Sequence, residues 1–334
     1  VRVNLAPGDR AEVLVHPPAG VPYVGVRAVV NAADGGGAAQ RVVVRVPRGR
    51  WLTGTVTDGV KPLAGAAVHW GREGAALPEW RDEVLVGRDA ITRTGPDGTF
   101  RLAVLPGPCS VRVYGPTPDF EPASAKLPGT ANTTIFAHHI ARVEVVERGD
   151  VPAVRVALRP AVAVTGTVER PATDSGATFL LASGRVSPVR GYSVLPLPVR
   201  GGAFGVPGCR AGHTTRAYLL DPVARVGAVV DATPGAAAPV AKLLPCGTLR
   251  VRVVGPDGRP RAGQEVSLAL LADRDRAAGA TPAADAQPVE WFDAVNYPTR
   301  PKTGADGRLD LPALVPGARY ALAVGTGAGK VQVG

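Results

Sequence analysis

Two adjacent histidines, a glycine-rich stretch ending in lysine, three cysteines and two Glu-Trp dipeptides are the places where this chain's residue types could do chemistry. His138 and His139 stand side by side in IFAHHIARVEV. Neighbours on a strand point to opposite faces, so the two imidazoles do not converge on one ion, and no metal site is expected. GTGAGK (Gly325 to Lys330) evokes a phosphate-cradling loop, but Val324 stands where its first glycine belongs and Val331 follows the lysine in place of Ser or Thr. It reads as an ordinary loop. Ser193 follows Gly191 by two positions, yet Val194 and Leu195 come next, so there is no nucleophile elbow. Cys209 and Cys246 fall in one expected unit, where they could pair as a disulfide or remain buried thiols; Cys109 lies in another. No catalytic residue and no cofactor follow from these patterns.

The Glu-Trp dipeptides sit in two long stretches at equivalent places. One runs from Gly71 to Thr94 and holds Trp80, the other from Ala272 to Thr303 and holds Trp291. Trp291, Phe292 and Tyr297, beside Asp293 and Asn296, form the densest aromatic and polar cluster in a chain that is only 5% aromatic. Exposed on a loop, such a cluster suits a sugar ring or a peptide, since apolar faces stack while polar neighbours meet hydroxyls. Turned inward, each Trp closes an open end of its domain.

The elements that must position these residues follow from a repeat. An apolar residue, Pro-Gly and an alternating strand recur at Pro7-Gly8, Pro106-Gly107, Pro207-Gly208 and Pro316-Gly317, with 99, 101 and 109 residues between the prolines. That is one immunoglobulin-sized unit per step. Ahead of three of these copies comes a turn signal, Asp97-Gly98, Gly201-Gly202 and Asp306-Gly307. Asp-Gly suits a tight hairpin, which predicts that the strands on either side of it pair antiparallel. Each unit opens on an alternating strand, LTGTVTD from Leu52, VTGTVER from Val164 and LRVRVV from Leu249. Runs such as RVVVRV from Arg41, VPAVRVALR from Val151 and PVAKLL from Pro239 are expected to be the strands that close each unit.

The expected organisation is therefore the second half of a β-sandwich over 1–50, complete units over 51–160 and 161–247, and over 248–334 a unit without its last strands. With short linkers the units are expected to sit end to end. Helical periodicity is weak, and 42 Gly and 33 Pro would interrupt it. The fold class is all-β, tandem antiparallel β-sandwich domains of Ig-like or prealbumin-like form.

The net charge of +10 is spread along the chain, +4 over 1–50, zero over 51–160, +4 over 161–247 and +2 over 248–334. Arg outnumbers Lys 33 to 5, with no basic run, so a nucleic-acid partner is not expected. No stretch approaches the roughly 18 apolar residues that would span a bilayer, so direct membrane insertion of this chain is not expected either. There is no Met, so Val1 is not an unprocessed start, and the chain is expected to be a piece of something longer.

The combination of G-x-V, P-L-A-G-A-x-V and T-x-x-D-G-x-F-x-L-x-x-L-P-G resembles the carboxypeptidase regulatory-like domain. The pattern is fullest over 52–114, through Gly54, Val56, Pro62, Gly65, Thr94, Asp97, Gly98, Phe100 and Pro106-Gly107. It returns over 249–324 with Leu309 in place of Phe, and the middle unit departs from it by lacking Asp-Gly. The resemblance implies a transthyretin-like sandwich, grouped near carbohydrate-binding-like folds, and an accessory module of a secreted or envelope protein. It implies no peptidase, since none of the five His is followed at the third position by Glu. Some relatives of this sandwich carry a Lys–Asn isopeptide cross-link, but Lys61 sits in a turn, Lys302 near one, and no Lys lies in a unit's first strand.

The sequence thus points to a non-enzymatic extracytoplasmic array acting as spacer or accessory module, with a glycan or a protein as its partner. One alternative is a carbohydrate- or peptide-binding array using the Trp loops; another is an enzyme with a site between domains. Trp291→Ala separates the first two of these readings. If Trp291 is a plug, the melting temperature falls by several degrees and no ligand effect appears; if it binds, glycan retention is lost at unchanged melting.

Overall fold

The structure, a computed structural model, describes residues 9–18, 20–31, 43–73, 83–84, 91–126, 134–169, 179–182, 197–199, 201–222, 224–273, 275–281, 287–289, 301–324 and 331–333. Every regular element among them is a β-strand. Trp80, Trp291, Phe292, Asp293, Asn296 and Tyr297 lie outside the described residues, as does Gly325 to Lys330. The chain divides into two compact units, one built mainly from Val1–Thr117 and Pro122–Arg159, the other from Pro160–Ser187 and Tyr192–Gly334.

In the first unit, strand Arg10–Val15 pairs antiparallel with Val26–Asn31, and Glu83–Val84 adds to the latter's other edge. Strand Arg50–Thr57 is the centre of a three-stranded sheet, antiparallel to Thr99–Val104 and parallel to Val154–Ala157. Its inward residues Leu52, Gly54 and Val56 are buried and its outward Thr53 and Thr55 are exposed, the period of two expected of a half-buried strand. A second sheet runs in the order His139–Val145, Gly107–Tyr114, Ala67–Arg72 and Ile91–Arg93. Trp70, Val111 and Val113 are wholly buried in it. The segment expected as a strand at Arg41 to Val46 is not one where it is described: residues 43–47 have no strand pairing, and Val43 is 71% exposed. The Val24 N–H bond to the Pro47 carbonyl and the Gly49 N–H bond to the Pro22 carbonyl, which make the bridge between Tyr23 and Arg48, tie that region down.

The G in the opening T-G-T-V has a physical cause. Gly54 pairs with Phe100, and a Cβ there would fall on the Val154 carbonyl oxygen of the parallel strand and within 2.6 Å of the Phe100 ring. Gly166 repeats the arrangement. It pairs with Phe204, and its Cβ would meet that ring and lie 2.5 Å from the Pro239 carbonyl oxygen. In 248–334 the same pair is Val251 with Leu309. A smaller partner leaves room for a side chain, and among the described residues no parallel strand lies beside Val251.

The turn signals act differently from the hairpin expectation. Ile91–Arg93 pairs with Ala67–Arg72, whereas Thr99–Val104 pairs with Arg50–Thr57, so Asp97-Gly98 carries the chain from one sheet to the other. The strands flanking Gly201-Gly202 and Asp306-Gly307 also belong to different sheets. Pro106-Gly107 and Pro316-Gly317 are likewise corners between sheets. Val206-Pro207-Gly208 is not a corner, because strand Ala203–Cys209 runs through it and turns afterwards, where the His213 N–H reaches the Arg210 carbonyl. Tight turns suit strands of one sheet; in a sandwich the same residues also serve strands that change layer.

In the second unit, Val162–Glu169 is flanked by Ala203–Cys209 antiparallel and Val240–Lys242 parallel. Strand His213–Asp221 lies between Phe179–Ala182 and Val226–Ala232 and is buried on both faces. Ala217 and Leu219 join a core with Val164, Phe204, Val206 and Leu243. Tyr218 and Leu220, on the opposite face, join a second core with Leu270, Ala272, Ala313 and Val315 from the following repeat. These two repeats therefore share a layer rather than meeting only at their ends. The layer also separates the two cysteines proposed as a disulfide. Cys209 is in the first core and Cys246 against the second, and both are free thiols.

Gly54→Ala is expected to destabilise the first unit by about 1–3 kcal/mol, the usual cost of overpacking. Adding Phe100→Leu should restore only part, because the Val154 carbonyl is backbone and cannot yield. Urea denaturation of the single and double variants measures both.

Candidate functional site

Three groups of polar side chains are candidates for function, and their hydrogen bonds separate them. The first is the Thr-x-x-Asp-Gly motif. Thr94 is buried; its Oγ1 accepts from the Ala66 N–H at 2.9 Å and donates to the Leu63 carbonyl at 2.5 Å. Thr303 does the same, accepting from the Gln264 N–H at 3.0 Å and donating to the Arg261 carbonyl at 2.6 Å. Asp97 accepts from the Thr99 N–H and Asp306 from the Arg308 N–H, each at 3.0 Å. The backbone and hydroxyl hydrogen bonds from Thr99 hold the Asp97 carboxyl below the usual carboxylate range. Gly98 and Gly307 both have φ of +73°, and a Cβ on either would lie 2.5 Å from a carbonyl oxygen, of Val56 or Val253. Glycine adopts this backbone without steric cost. Both copies commit these residues to the same backbone atoms.

The second group was not evident in the sequence. Asp273 is 4% exposed and receives Arg216 Nη1 on one oxygen and Arg319 Nη2 on the other, each at 2.7 Å. Arg216 also forks onto Asp231, Nε to Oδ1 at 2.9 Å and Nη2 to Oδ2 at 3.2 Å, and Arg276 bonds the same carboxylate. The Asp273 N–H donates to the Tyr218 hydroxyl at 3.0 Å. Burial raises the Asp231 carboxyl, but the hydrogen bonds and charges of Arg216 and Arg276 outweigh it and leave a net lowering. The available sequence signal was scarcity: 161–247 has four acidic residues, and Asp231 is one of them. The cluster stands over the shared layer of the second unit and reads as its polar seal.

The third group is the outward face of the sheet centred on Arg50–Thr57. Thr53 stands opposite Arg101, and Thr55 lies between Thr99 and Arg155. The Arg101 guanidinium lies 3.9 Å from the centre of the Trp51 ring, a cation–π stack. An open groove of about 580 Å³ follows this face round to Thr92 and Arg93, and no carboxylate lines it. Arg93 donates to the Gly65 carbonyl at 3.0 Å; Arg93, Arg101 and Arg155 form no ion pair among the described residues.

The titratable candidates from the sequence are placed apart. Buried His138 accepts the Gly115 N–H on Nδ1 at 2.7 Å, and burial lowers the pKa of neighbouring His139. Among the described residues no three His, Cys, Asp or Glu side chains gather as a metal would need. Burial raises the thiols of Cys109 to about 12 and Cys246 to about 11, where they are protonated at neutral pH and poor nucleophiles.

No family model matches the chain, and neither does any curated protein. Among solved structures it is similar to the Bacillus anthracis TIE protein, at 10% identity over 97% of this chain and 64% of that one, with a TM-score of 0.21. It is similar also to a Streptococcal ancillary pilin, at 11% identity over 85% and 95% of the two chains, TM-score 0.18. A third is the pilus adhesin SpaC from Lactobacillus rhamnosus GG, at 11% identity over 90% and 39%, TM-score 0.16. The chain thus spans less than two thirds of the TIE protein's length. The all-β assignment rests on the strands themselves.

Asp273→Ala removes the shared partner of Arg319, which is 46% exposed, and of Arg216, which keeps Asp231, and is expected to cost about 1–3 kcal/mol in the unfolding of the second unit. Asp231→Ala, at a carboxylate 40% exposed, should cost about 1 kcal/mol or less. Denaturant titration followed by tyrosine fluorescence reads both.

Proposed function

We propose that this chain is a non-catalytic array of β-sandwich modules working outside the cytoplasm, as a spacer and interaction module of a larger surface or secreted protein. One observation carries the reading. In the repeated Thr-x-x-Asp-Gly motif the Thr94 and Thr303 hydroxyls each accept a backbone N–H and donate to a backbone carbonyl, and Asp97 and Asp306 each accept the N–H two residues on, so the motif does the same turn-holding work in two modules. A group that must accept or release a proton in a reaction needs its lone pairs or proton free for substrate. Here they hold a corner between two sheets. The four-module division into 1–50, 51–160, 161–247 and 248–334 belongs to this proposal, with the Gly–Phe pairs and Thr clamps as its internal landmarks. The extracytoplasmic setting is supported by the resemblance of 52–114 and 249–324 to accessory modules of envelope and secreted proteins.

Thr94→Val leaves the Ala66 N–H and the Leu63 carbonyl unpaired in a buried corner and is expected to cost about 1–3 kcal/mol. Thr303→Val should cost a similar amount. A broad panel of ester, peptide and glycoside substrates should show no turnover above buffer with the unaltered chain. Saturable turnover, abolished by a substitution that leaves the melting temperature unchanged, would overturn the reading.

A further inference from the structure

The outward face of the sheet formed by Arg50–Thr57, Thr99–Val104 and Val154–Ala157 gathers more cations than anions. Arg101 and Arg155 flank the central strand from its two sides, opposite Thr53 and Thr55 respectively. Two strand spacings across and two residues along put their Cα atoms roughly 12 Å apart. Arg93 also lines the groove, with one nitrogen bonded to the Gly65 carbonyl. Like charges on one sheet face repel, and cross-strand placement normally sets an acid against a base. Here the cross-strand partners of Arg101 and Arg155 are threonines, and the groove has no carboxylate in its lining. Asp97, which Thr99 Oγ1 meets at 2.8 Å, is one carboxylate at the edge of the face against three arginines, so the field over the face is positive on balance, which favours a negatively charged ligand.

The chemistry of the face narrows that ligand. Arg101 lies over the Trp51 ring, 3.9 Å from its centre, a contact that orders its guanidinium, whose N–H fork can grip a carboxylate or sulfate through two hydrogen bonds. The hydroxyls of Thr53, Thr55 and Thr92 have no hydrogen-bond partner among the described residues, so each can both donate and accept. Thr99 donates to Asp97 and keeps its acceptor lone pair. A surface of alternating hydroxyls and guanidinium groups matches a chain of rings bearing hydroxyls and regularly spaced acids. The groove is open and shallow, which lets a polymer enter and leave along the sheet. A single-stranded nucleic acid would want a bare aromatic platform for its bases, and Arg101 already covers the Trp51 ring. An acidic peptide would find charge but few apolar recesses for its side chains.

We infer that this face is a binding site for an acidic polysaccharide, one carrying carboxylate or sulfate groups, with Arg101 and Arg155 gripping successive acids and Thr53, Thr55 and Thr92 meeting the sugar hydroxyls. The inference rests on the interaction-module reading above and gives it a ligand class and a location in the first unit.

The test is titration calorimetry of the whole chain with polygalacturonate, heparin, neutral dextran, poly-glutamate and single-stranded DNA. Binding of polygalacturonate or heparin is expected, weakening as salt rises, with no heat from dextran. The double variant Arg101→Ala, Arg155→Ala should lose about tenfold or more in affinity, while Arg250→Ala, Arg252→Ala, an equal change of charge on exposed residues elsewhere, should change it by less than about twofold. Arg155→Ala alone has no stacking partner to lose, so it keeps the test decisive if the Arg101 substitution disturbs folding. Thr53→Val with Thr55→Val should weaken the polysaccharide but leave poly-glutamate unchanged. Equal losses in both arginine doubles, tighter binding of DNA or poly-glutamate than of either polysaccharide, or no binding to either polysaccharide would overturn the inference. Absence of binding leaves the spacer reading standing, since that reading falls only to turnover.

Discussion

Two of the small sheets depend on one close approach: a first strand that passes beneath a phenylalanine ring while a parallel strand runs along its other edge. A side chain at the crossing would collide with the ring and with a backbone carbonyl at once, so Gly54 and Gly166 hold the two positions where both neighbours are present. Val251 opposite Leu309 shows the same site with the ring replaced and the parallel neighbour not among the described residues. The volume at this crossing is conserved inside one chain by trading it between partners, as close-packed interiors require. The outward threonines follow from it, because a strand whose inward positions are settled has its alternate positions free for solvent.

The corners form a second layer of constraint. A sandwich strand that changes sheet leaves backbone groups without ladder partners just where the chain is buried, and unpaired buried groups are costly. Thr94 and Thr303 satisfy those groups with a single hydroxyl each, and Asp97 and Asp306 hold the turn that follows. This is why the repeated Thr-x-x-Asp-Gly motif is a folding device. In the second unit the constraint widens. Strand His213–Asp221 serves two cores at once, Leu219 to one side and Leu220 to the other, and the ionic cluster of Asp231, Asp273 and three arginines stands over that shared layer.

Alternation, turn residues and a repeat near one hundred positions were legible in the sequence, because they are local: period two declares a half-buried strand, and Gly or Asp-Gly declares a backbone that must turn. On that footing the all-β class and the opening strands at Leu52, Val164 and Leu249 were readable. The hairpin expectation at Asp97-Gly98 failed for a reason equally local in form. A turn signal says that the chain reverses, and it does not say which strand waits on the other side.

Tertiary pairing alone decided the rest. Arg101 lies 50 residues from Trp51, and only the register that sets Thr53 against Arg101 brings guanidinium and indole together. Arg155 reaches the same face by a parallel pairing a hundred residues from Thr55. The separation of Cys209 from Cys246 and the meeting of Arg216 with Asp273 depend on a strand buried on both faces, and a run of apolar residues does not reveal how many layers will cover it. Sequence determined which residues turn, alternate and repeat, since those properties belong to neighbours along the chain; the structure decided which distant faces meet, since that belongs to packing.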